Sequence, residues 1–213
     1  MVKLKKLVIA CDGESASGKS TAAKLVSKKY NLLLINSGLI YRYCSKLIIN
    51  KKPKKIIPFL KKKFKGVSYK KIINQKLHSE EISNHVAILA KNKKVREIVN
   101  RLQMKIIKTN NRICVEGRDI ASKILAKDPK YDLAFYFRCS LEVAAYRRWL
   151  DIKKSVPIKE VKRSLKIRTS LDKQRKNSPL IKVKDAILVR SDKLNKKEVL
   201  TKMSKSIDKF LKN

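Results

Sequence analysis

A glycine-rich segment near the start of the sequence, D-G-E-S-A-S-G-K-S-T at residues 12–21, has the composition and spacing of a phosphate-binding loop. Two glycines let backbone N–H groups turn toward phosphate oxygens, where side chains would block the approach. Lys19 offers a positive charge to the β- and γ-phosphates, and Ser20 offers a hydroxyl to Mg²⁺. The segment therefore predicts a site for ATP and Mg²⁺, with Ser20 as the metal ligand and nucleotide contacts from Gly13, Glu14, Ser15, Ala16, Ser17, Gly18, Lys19, Ser20 and Thr21.

Three other segments combine arginine with hydroxyl or carboxylate groups. N-S-G-L-I-Y-R (36–42) and V-E-G-R-D (115–119) each follow an apolar run, where a second ligand could face the loop. An apolar stripe of Ile158, Val161 and Leu165 continues in the same helical phase through Arg168, Asp172 and Arg175. Such a change from apolar to charged predicts a helix that passes from the core into a cleft. The alternative is a surface helix with salt bridges four residues apart.

Strand-like and helix-like patterns alternate along the chain. Apolar runs predict buried parallel strands, and helical patterns fill the gaps between them. This order is typical of a doubly wound α/β sheet with helices on both faces and a ligand site at the carboxyl ends of the strands. The predicted strands are Leu4–Cys11, Leu32–Ile35, Ile113–Val115, Leu133–Phe137 and Ala186–Val189.

The length of 213 residues fits one domain. Residues 46–78 interrupt the alternation with two prolines, a glycine and many lysines, and no acidic residue occurs between Ser15 and Ser79. We interpret 46–78 as a basic insertion over the site, with a solvated basic surface as the alternative. The expected organisation is a core of residues 1–45 and 79–213 that carries this insertion.

Composition excludes several classes of protein. The net charge of +38 suits a nucleic-acid partner, but the lysines are scattered and isoleucine and asparagine are also abundant, so compositional drift explains the excess at least as well. Two histidines leave little material for a zinc site or a His-dependent triad. No apolar run approaches the length of a membrane span, and four cysteines without C-x-x-C spacing favour reduced thiols in the cytoplasm.

The ordered motifs resemble those of bacterial cytidylate (CMP) kinases. The matching segments are D-G-x-x-x-S-G-K-S-T, S-G-x-I-Y-R, S-x-x-V-x-x-L with V-R-E, E-G-R-D, R-R and R-x-x-x-D-x-x-R-x-x-S-P-L-x-x-x-x-D-A, from about residue 7 to about residue 190. The resemblance implies a three-layer P-loop kinase fold with a five-stranded parallel sheet, a small monophosphate-binding insertion and a short lid at about 151–157. It implies MgATP-dependent phosphorylation of CMP and dCMP by a cytoplasmic protein, here expected to be a monomer without a specific nucleic-acid or membrane partner.

The resemblance also assigns roles to residues. Arg96 and Asp119 would contact cytosine, and Arg168 and Asp172 would lie near the ribose. Arg42, Arg118 and Arg175 would lie near phosphate. Lys19, Arg147, Arg148 and Arg168 would act in catalysis. The complete set of implied substrate contacts is Ser37, Tyr41, Arg42, Arg96, Arg118, Asp119, Arg168, Asp172 and Arg175.

This sequence departs from the family pattern at several positions. Ala87 stands where a serine helps to hold the base, and Ser83, one helical turn earlier, could replace it. Glu116 replaces the usual aspartate before G-R-D, and Arg190-Ser191 replaces a more typical Asp-Ser or Asp-Thr pair. The alternatives are another small-molecule P-loop kinase, such as a dephospho-coenzyme A kinase or a different nucleoside monophosphate kinase, a basic nucleic-acid-binding protein, or a non-catalytic scaffold.

Overall fold

A five-stranded sheet forms the centre of the protein. The computed structural model describes residues 5–212 apart from the side chain of Glu80. The strands lie in the order β2-β3-β1-β4-β5; β1 pairs in parallel with β3 and β4, and β4 pairs in parallel with β5. Their bounds are β1 (Leu7–Gly13), β2 (Leu33–Asn36), β3 (Arg112–Gly117), β4 (Leu133–Arg138) and β5 (Ile187–Arg190). The predicted five-stranded parallel sheet flanked by helices is confirmed.

Helices fill the connections between the strands. A short π-helical turn, Ile120–Ile124, follows β3 and is called the π-turn below. The α-helices are α1 (Lys19–Lys29), α2 (Ser37–Lys51), α3 (Ile56–Phe64), α4 (Tyr69–Ile73), α5 (Glu80–Leu89), α6 (Lys93–Lys108), α7 (Leu141–Asp151), α8 (Ile158–Gln174) and α9 (Lys196–Lys212). None of the helices within residues 5–212 is long and apolar enough to cross a membrane.

The chain divides into two compact units, one formed by residues up to 35 and from 110 onward, the other by residues 36–109. In the first unit, every residue of the central strand β1 is buried. One face of β1 packs with apolar side chains of α1 and α9, including Val26 and Met203. Because every residue of β1 is buried, both faces of the strand are covered. Burial of both faces explains why the β1 sequence is a continuous apolar run rather than an alternating one.

The second unit is helical. Helix α2 packs against α4, α5 and α6, and α3 packs against α6. The segment 46–78, predicted as an insertion, lies wholly within this unit and forms α3 and α4, where Leu60 and Ile72 are fully buried. These two residues bury the apolar side of the lysine-rich segment within the second unit.

The strands end close to the predicted positions, and most extend further toward their carboxyl ends. The strand predicted from Leu4 begins at Leu7 among the described residues, and Leu4 itself lies outside them. Strand β1 continues to Gly13 because Asp12 pairs with Gly117 and Gly13 pairs with Phe137. Hydrogen bonding to both neighbouring strands therefore carries the polar Asp-Gly pair to the edge of the sheet.

Asp12 joins the end of β1 to the π-turn. Its carboxylate is 3% exposed and accepts backbone N–H groups from Ile120 at 2.9 Å and Ala121 at 2.8 Å. Burial raises the pKa of Asp12 to about 6, although the two N–H donors oppose the shift. Asp12 thus fixes the backbone that directly follows Arg118 and Asp119.

Gly13→Ala should strongly destabilise the fold. A Cβ at Gly13 would lie 2.3 Å from the carbonyl oxygen of Phe137, and the φ angle of +152° is one that other residues rarely adopt. We expect a loss of about 2 kcal/mol or more in the free energy of unfolding, measured in urea. Gly66→Ala is the matched control, because no atom lies within 4 Å of its Cβ position. Equal stabilities of the two variants would contradict this prediction.

Asp12→Asn should change how stability depends on pH. The Asp12 carboxyl binds its proton more tightly in the folded chain than in the unfolded chain, where its pKa is near 3.8. Its stabilising contribution is therefore complete below about pH 4 and is lost as the pH rises through about 6. We expect the stability of Asp12→Asn, relative to wild type, to rise by about 2 kcal/mol between about pH 4 and about pH 7, measured by urea unfolding.

Asp192→Asn provides a control of opposite sign. The backbone N–H of Ser140 holds the pKa of Asp192 below its usual value. The relative stability of this variant should therefore fall as the pH rises through the acidic range. Parallel stability curves for wild type and Asp12→Asn would show that the Asp12 carboxyl does not titrate as described.

Candidate functional site

The phosphate loop leaves β1 at Gly13 and enters α1 at Lys19. Gly18, the residue before the helix, has a left-handed φ of 79°, which favours glycine. Ser17 donates its hydroxyl to the carbonyl of Glu14 at 2.8 Å, and the backbone N–H of Glu14 donates to Phe137 of β4 at 3.2 Å. The loop is therefore held by its own side chain and by the neighbouring strand before any ligand binds.

Lys19 and Ser20 meet at one carboxylate. The Lys19 Nζ lies 3.3 Å from Glu116 Oε2, and the Ser20 hydroxyl donates to the same oxygen at 2.6 Å. Glu116 is the second-to-last residue of β3 and is 2% exposed. Burial lowers the pKa of Lys19, and the charge of Glu116 acts against this shift. The negative charge of the buried carboxylate thus favours the charged form of Lys19 and holds the ammonium group at the end of β3.

Arg118 ties the turn after β3 to the loop. Its Nη1 donates to the carbonyl of Gly13, its Nη2 donates to Ser15 Oγ at 2.6 Å, and its Nε lies 3.1 Å from Asp172 Oδ2. Every nitrogen of this guanidinium therefore contacts an acceptor of the protein. The contacts fix the side chain at the edge of the sheet where Lys19 and Glu116 also lie.

The charged end of the stripe on α8 lies within the same network. Asp172 Oδ1 lies 3.5 Å from Arg175 Nη1, and Arg175 Nη2 lies 3.7 Å from Asp119 Oδ1. The side chains of Asp172, Arg175 and Asp119 are 17%, 8% and 7% exposed. A solvated surface face would leave such groups open to water, so the alternative interpretation of the stripe does not fit. Arg168 lies half-buried on α8, one turn before Asp172.

Arg147 and Arg148 lie near the end of α7, and only Arg147 reaches the loop region. Arg147 donates from Nη1 to Ser191 Oγ at 3.0 Å and from Nη2 to Ser191 O at 2.6 Å. Its Nη1 also lies 3.9 Å from the Cβ position of Gly18. Among the residues described, Arg148 makes no comparable side-chain contact.

The second unit brings together other predicted substrate residues. The guanidinium of Arg96 lies 5.7 Å from the centre of the Tyr41 ring, and Arg96 is 4% exposed. Arg42 Nη1 donates to Leu77 O at 3.1 Å and to Ser83 Oγ at 2.9 Å. Ser37 is buried as the first residue of α2.

The Ser83 hydroxyl, which could replace the serine missing at position 87, has two partners within the protein. Its Oγ donates to the carbonyl of Ser79 at 2.7 Å and accepts from Arg42. Both Ser83 and Ala87 lie on α5, one turn apart. In this structure, Ser83 therefore orients Arg42 rather than presenting a donor to a ligand.

Sequence reasoning missed three contributors to the site: Asp12, Glu116 and Ser191. Glu116 and Ser191 were noted only as departures from a family pattern, and Asp12 only as part of a motif. Their positions at the ends of β1, β3 and β5 are a signal that could have identified them, because the carboxyl ends of parallel strands share one edge.

A cavity of about 590 Å³ adjoins the loop at the ends of β4 and β5. Basic residues are frequent in its wall, and Lys173 forms an ion pair with Glu14 at 2.7 Å. The cavity is lined by Glu14, Ser15, Arg138, Cys139, Ser140, Leu141, Ala144, Leu165, Lys166, Thr169, Lys173, Arg190 and Asp192. Its volume lies in the range of about 300–1,000 Å³ that is usual for small-molecule sites.

Solved structures share this fold at low sequence identity. A gluconokinase from Sinorhizobium meliloti 1021 superposes with a TM-score of 0.55 at 12% identity, over 99% of this chain and 97% of the other. A shikimate kinase from Bacteroides thetaiotaomicron gives a TM-score of 0.52 at 10% identity, over 95% and 98% of the two chains. These likenesses confirm the P-loop kinase fold and nothing about the substrate.

Sequence comparisons identify the family. A cytidylate kinase of Alkaliphilus oremlandii (strain OhILAs) is 32% identical over 92% of this chain and 94% of its own, and one of Clostridium botulinum (strain Okra / Type B1) is 33% identical over 94% and 97%. A bifunctional pantoate ligase/cytidylate kinase of Prochlorococcus marinus (strain NATL2A) is 32% identical over 93% of this chain, which spans 42% of that protein. Residues 9–209 match the cytidylate kinase family, and the chain therefore belongs to that family.

Proposed function

We propose that this protein transfers the γ-phosphoryl group of ATP to CMP and dCMP. The observation that carries the proposal is the phosphate loop of a cytidylate kinase family member, in which Lys19 and Ser20 converge on the buried Glu116. Family membership supports the choice of acceptor, and the loop supports the choice of donor. The net charge of +38 would also attract either anionic substrate.

The chemistry needs no general base in the protein. The phosphate of CMP is an anionic nucleophile at neutral pH, so its oxygen can attack the γ-phosphorus directly while the γ-phosphate bond to ADP breaks. Catalysis then depends on positioning and on stabilising negative charge in the transition state. Lys19 supplies a positive charge at the loop for this purpose. Arg147, whose Nη1 lies 3.9 Å from the Cβ position of Gly18, can supply a second positive charge.

Ser20 and Glu116 fit a divalent cation. Mg²⁺ prefers oxygen ligands, and the hydroxyl and carboxylate oxygens of these two residues lie 2.6 Å apart. When bound with ATP, Mg²⁺ would neutralise charge on the transferred phosphoryl group. Glu116 is one carbon longer than the usual aspartate, so we propose that it reaches both the cation and Lys19.

The acceptor contacts follow from the family resemblance. We propose that Arg96 and Asp119 contact cytosine, and that Arg168 and Asp172 contact the ribose. Asp119 can accept a hydrogen bond from the exocyclic amino group of cytosine, which uracil lacks. Ser37, Tyr41, Arg42, Arg118 and Arg175 would complete the acceptor site.

Binding of CMP would exchange existing partners rather than create a charged site anew. Arg118 and Arg175 already contact Asp172, and Arg118 also contacts Ser15 and the Gly13 carbonyl. Phosphate oxygens would replace some of these acceptors. Because the guanidinium groups are already ordered, substrate binding costs less side-chain entropy.

The donor nucleoside would occupy the cavity at the ends of β4 and β5. It adjoins Glu14 and Ser15 of the loop, so triphosphate in the loop and nucleoside in the cavity would be continuous. We further propose that the segment between α7 and α8, at about residues 151–157, acts as the lid, that the protein is a monomer, and that it acts in the cytoplasm.

ADP release tests the proposed function. Purified protein is assayed with MgATP and, in parallel, CMP, dCMP, UMP, AMP, dTMP or dephospho-coenzyme A. We expect the highest kcat/KM with CMP or dCMP. Lys19→Ala should lower kcat by at least about a hundredfold, because it removes a charge that acts on the transition state.

Lys29→Ala is a control for loss of a lysine at the far end of the same helix, where Lys29 bonds to Ser204 at 2.8 Å. It should keep kcat within about twofold, as expected of a surface substitution. A preference for dephospho-coenzyme A or for another monophosphate would contradict the assigned acceptor. Activity of Lys19→Ala within threefold of wild type would contradict the assigned loop.

A further inference from the structure

Ser191 connects the end of β5 to three other parts of the first unit: β4, the phosphate loop and α7. It is 2% exposed, and its backbone N–H donates to Arg138 O of β4 at 3.0 Å. Its hydroxyl donates to the carbonyl of Ser17 in the phosphate loop at 2.8 Å. The same hydroxyl accepts from Arg147 Nη1 at 3.0 Å. One buried hydroxyl therefore links the loop backbone to a side chain of α7.

The Arg147 guanidinium is held at two points on Ser191. Nη1 donates to the hydroxyl, and Nη2 donates to the backbone carbonyl at 2.6 Å. A planar guanidinium that donates from two nitrogens is fixed in orientation as well as position. Lysine could not reproduce this two-point contact, since its ammonium group is a point charge without the planar pair of N–H donors of a guanidinium.

The contact with Ser191 places the Arg147 guanidinium beside the phosphate loop. Arg147 Nη1 lies 3.9 Å from the Cβ position of Gly18, the residue directly before Lys19. The Ser191 hydroxyl also donates to the carbonyl of Ser17, the residue directly before Gly18. Loss of the Ser191 hydroxyl would remove one of the two hydrogen bonds that hold the guanidinium, and also the hydrogen bond to the loop backbone.

We propose that Ser191 is a positioning residue for phosphoryl transfer, which acts by holding Arg147 in register with the phosphate loop. The inference rests on the proposed function, since it assumes that Arg147 stabilises the transferred phosphoryl group. Groups that are fixed before reaction stabilise developing charge without reorganising. The Ser191 hydroxyl contacts Arg147 and the Ser17 carbonyl, and it acts through these two groups.

The test is a double-mutant cycle on kcat, with MgATP and CMP as substrates. Ser191→Ala removes the hydrogen bonds of the hydroxyl to Arg147 and to the Ser17 carbonyl. It should lower kcat by about tenfold or more and leave the KM for CMP within about twofold. Ser191→Thr keeps the hydroxyl and should recover activity to within about threefold of wild type. In an Arg147→Ala background, Ser191→Ala should lower kcat by much less than about tenfold, because the contact with Arg147 is already absent and only the hydrogen bond to the Ser17 carbonyl is lost.

Ser204→Ala is the matched control. Ser204 is also a buried serine that accepts from a cationic side chain, Lys29 Nζ at 2.8 Å, but it lies on α9. Its removal should leave kcat unchanged. Arg147→Lys provides a second test that leaves Ser191 in place: it keeps the charge but loses the two-nitrogen contact with Ser191, and should lower kcat about as much as Ser191→Ala.

The outcomes separate the inference from the proposed function. Wild-type protein that transfers no phosphoryl group to CMP contradicts the function. If the wild-type protein is active, three results would overturn the positioning role alone. These are an unchanged kcat in Ser191→Ala, full activity in Arg147→Lys, and effects of Ser191→Ala and Arg147→Ala on kcat that simply multiply. Thermal unfolding of each variant identifies any loss of kcat that comes from unfolded protein, and such a loss would also count against the proposal.

Discussion

The central strand leaves the sheet through a space that admits no side chain. At Gly13, a Cβ would lie 2.3 Å from the Phe137 carbonyl, so the chain must pass β4 as bare backbone. Because β1 lies between β3 and β4, the loop that follows is flanked by the ends of both strands. Glu116 can then reach Lys19 and Ser20 from one side, and the residues after β4 and β5 can approach from the other. The site depends on this close approach.

Buried charges of opposite sign hold the site in place before a ligand arrives. Glu116 pairs with Lys19, and Asp172 pairs with both Arg118 and Arg175. A chain with 55 basic and 17 acidic residues uses several of its few carboxylates at this one edge. Their function there is to order cations that would otherwise repel one another. Anionic substrates can then meet guanidinium and ammonium groups whose conformational entropy has already been lost.

Local sequence patterns predicted the sheet, the phosphate loop and the charged end of α8, because each depends on residues close together in the chain. The apolar runs became the five strands, with shifts at their ends where pairing with neighbours extended β1 and β3. The links made by Asp12 and Ser191 join residues 108 and 174 positions apart, so strand order, which no local pattern reveals, creates them. The contact of Ser83 with Arg42, 41 residues earlier, arises in the same way.

The most direct test of the account is to follow the phosphorus atoms themselves. ³¹P NMR of the protein with MgATP and CMP would report the γ-phosphorus of ATP and any new β-phosphorus resonance of CDP in one sample. The account predicts that CDP and ADP appear together in equal amounts, with little inorganic phosphate, and that both form at least about a hundredfold more slowly when Lys19 is replaced by alanine. Loss of ATP with accumulation of inorganic phosphate and no CDP would contradict it.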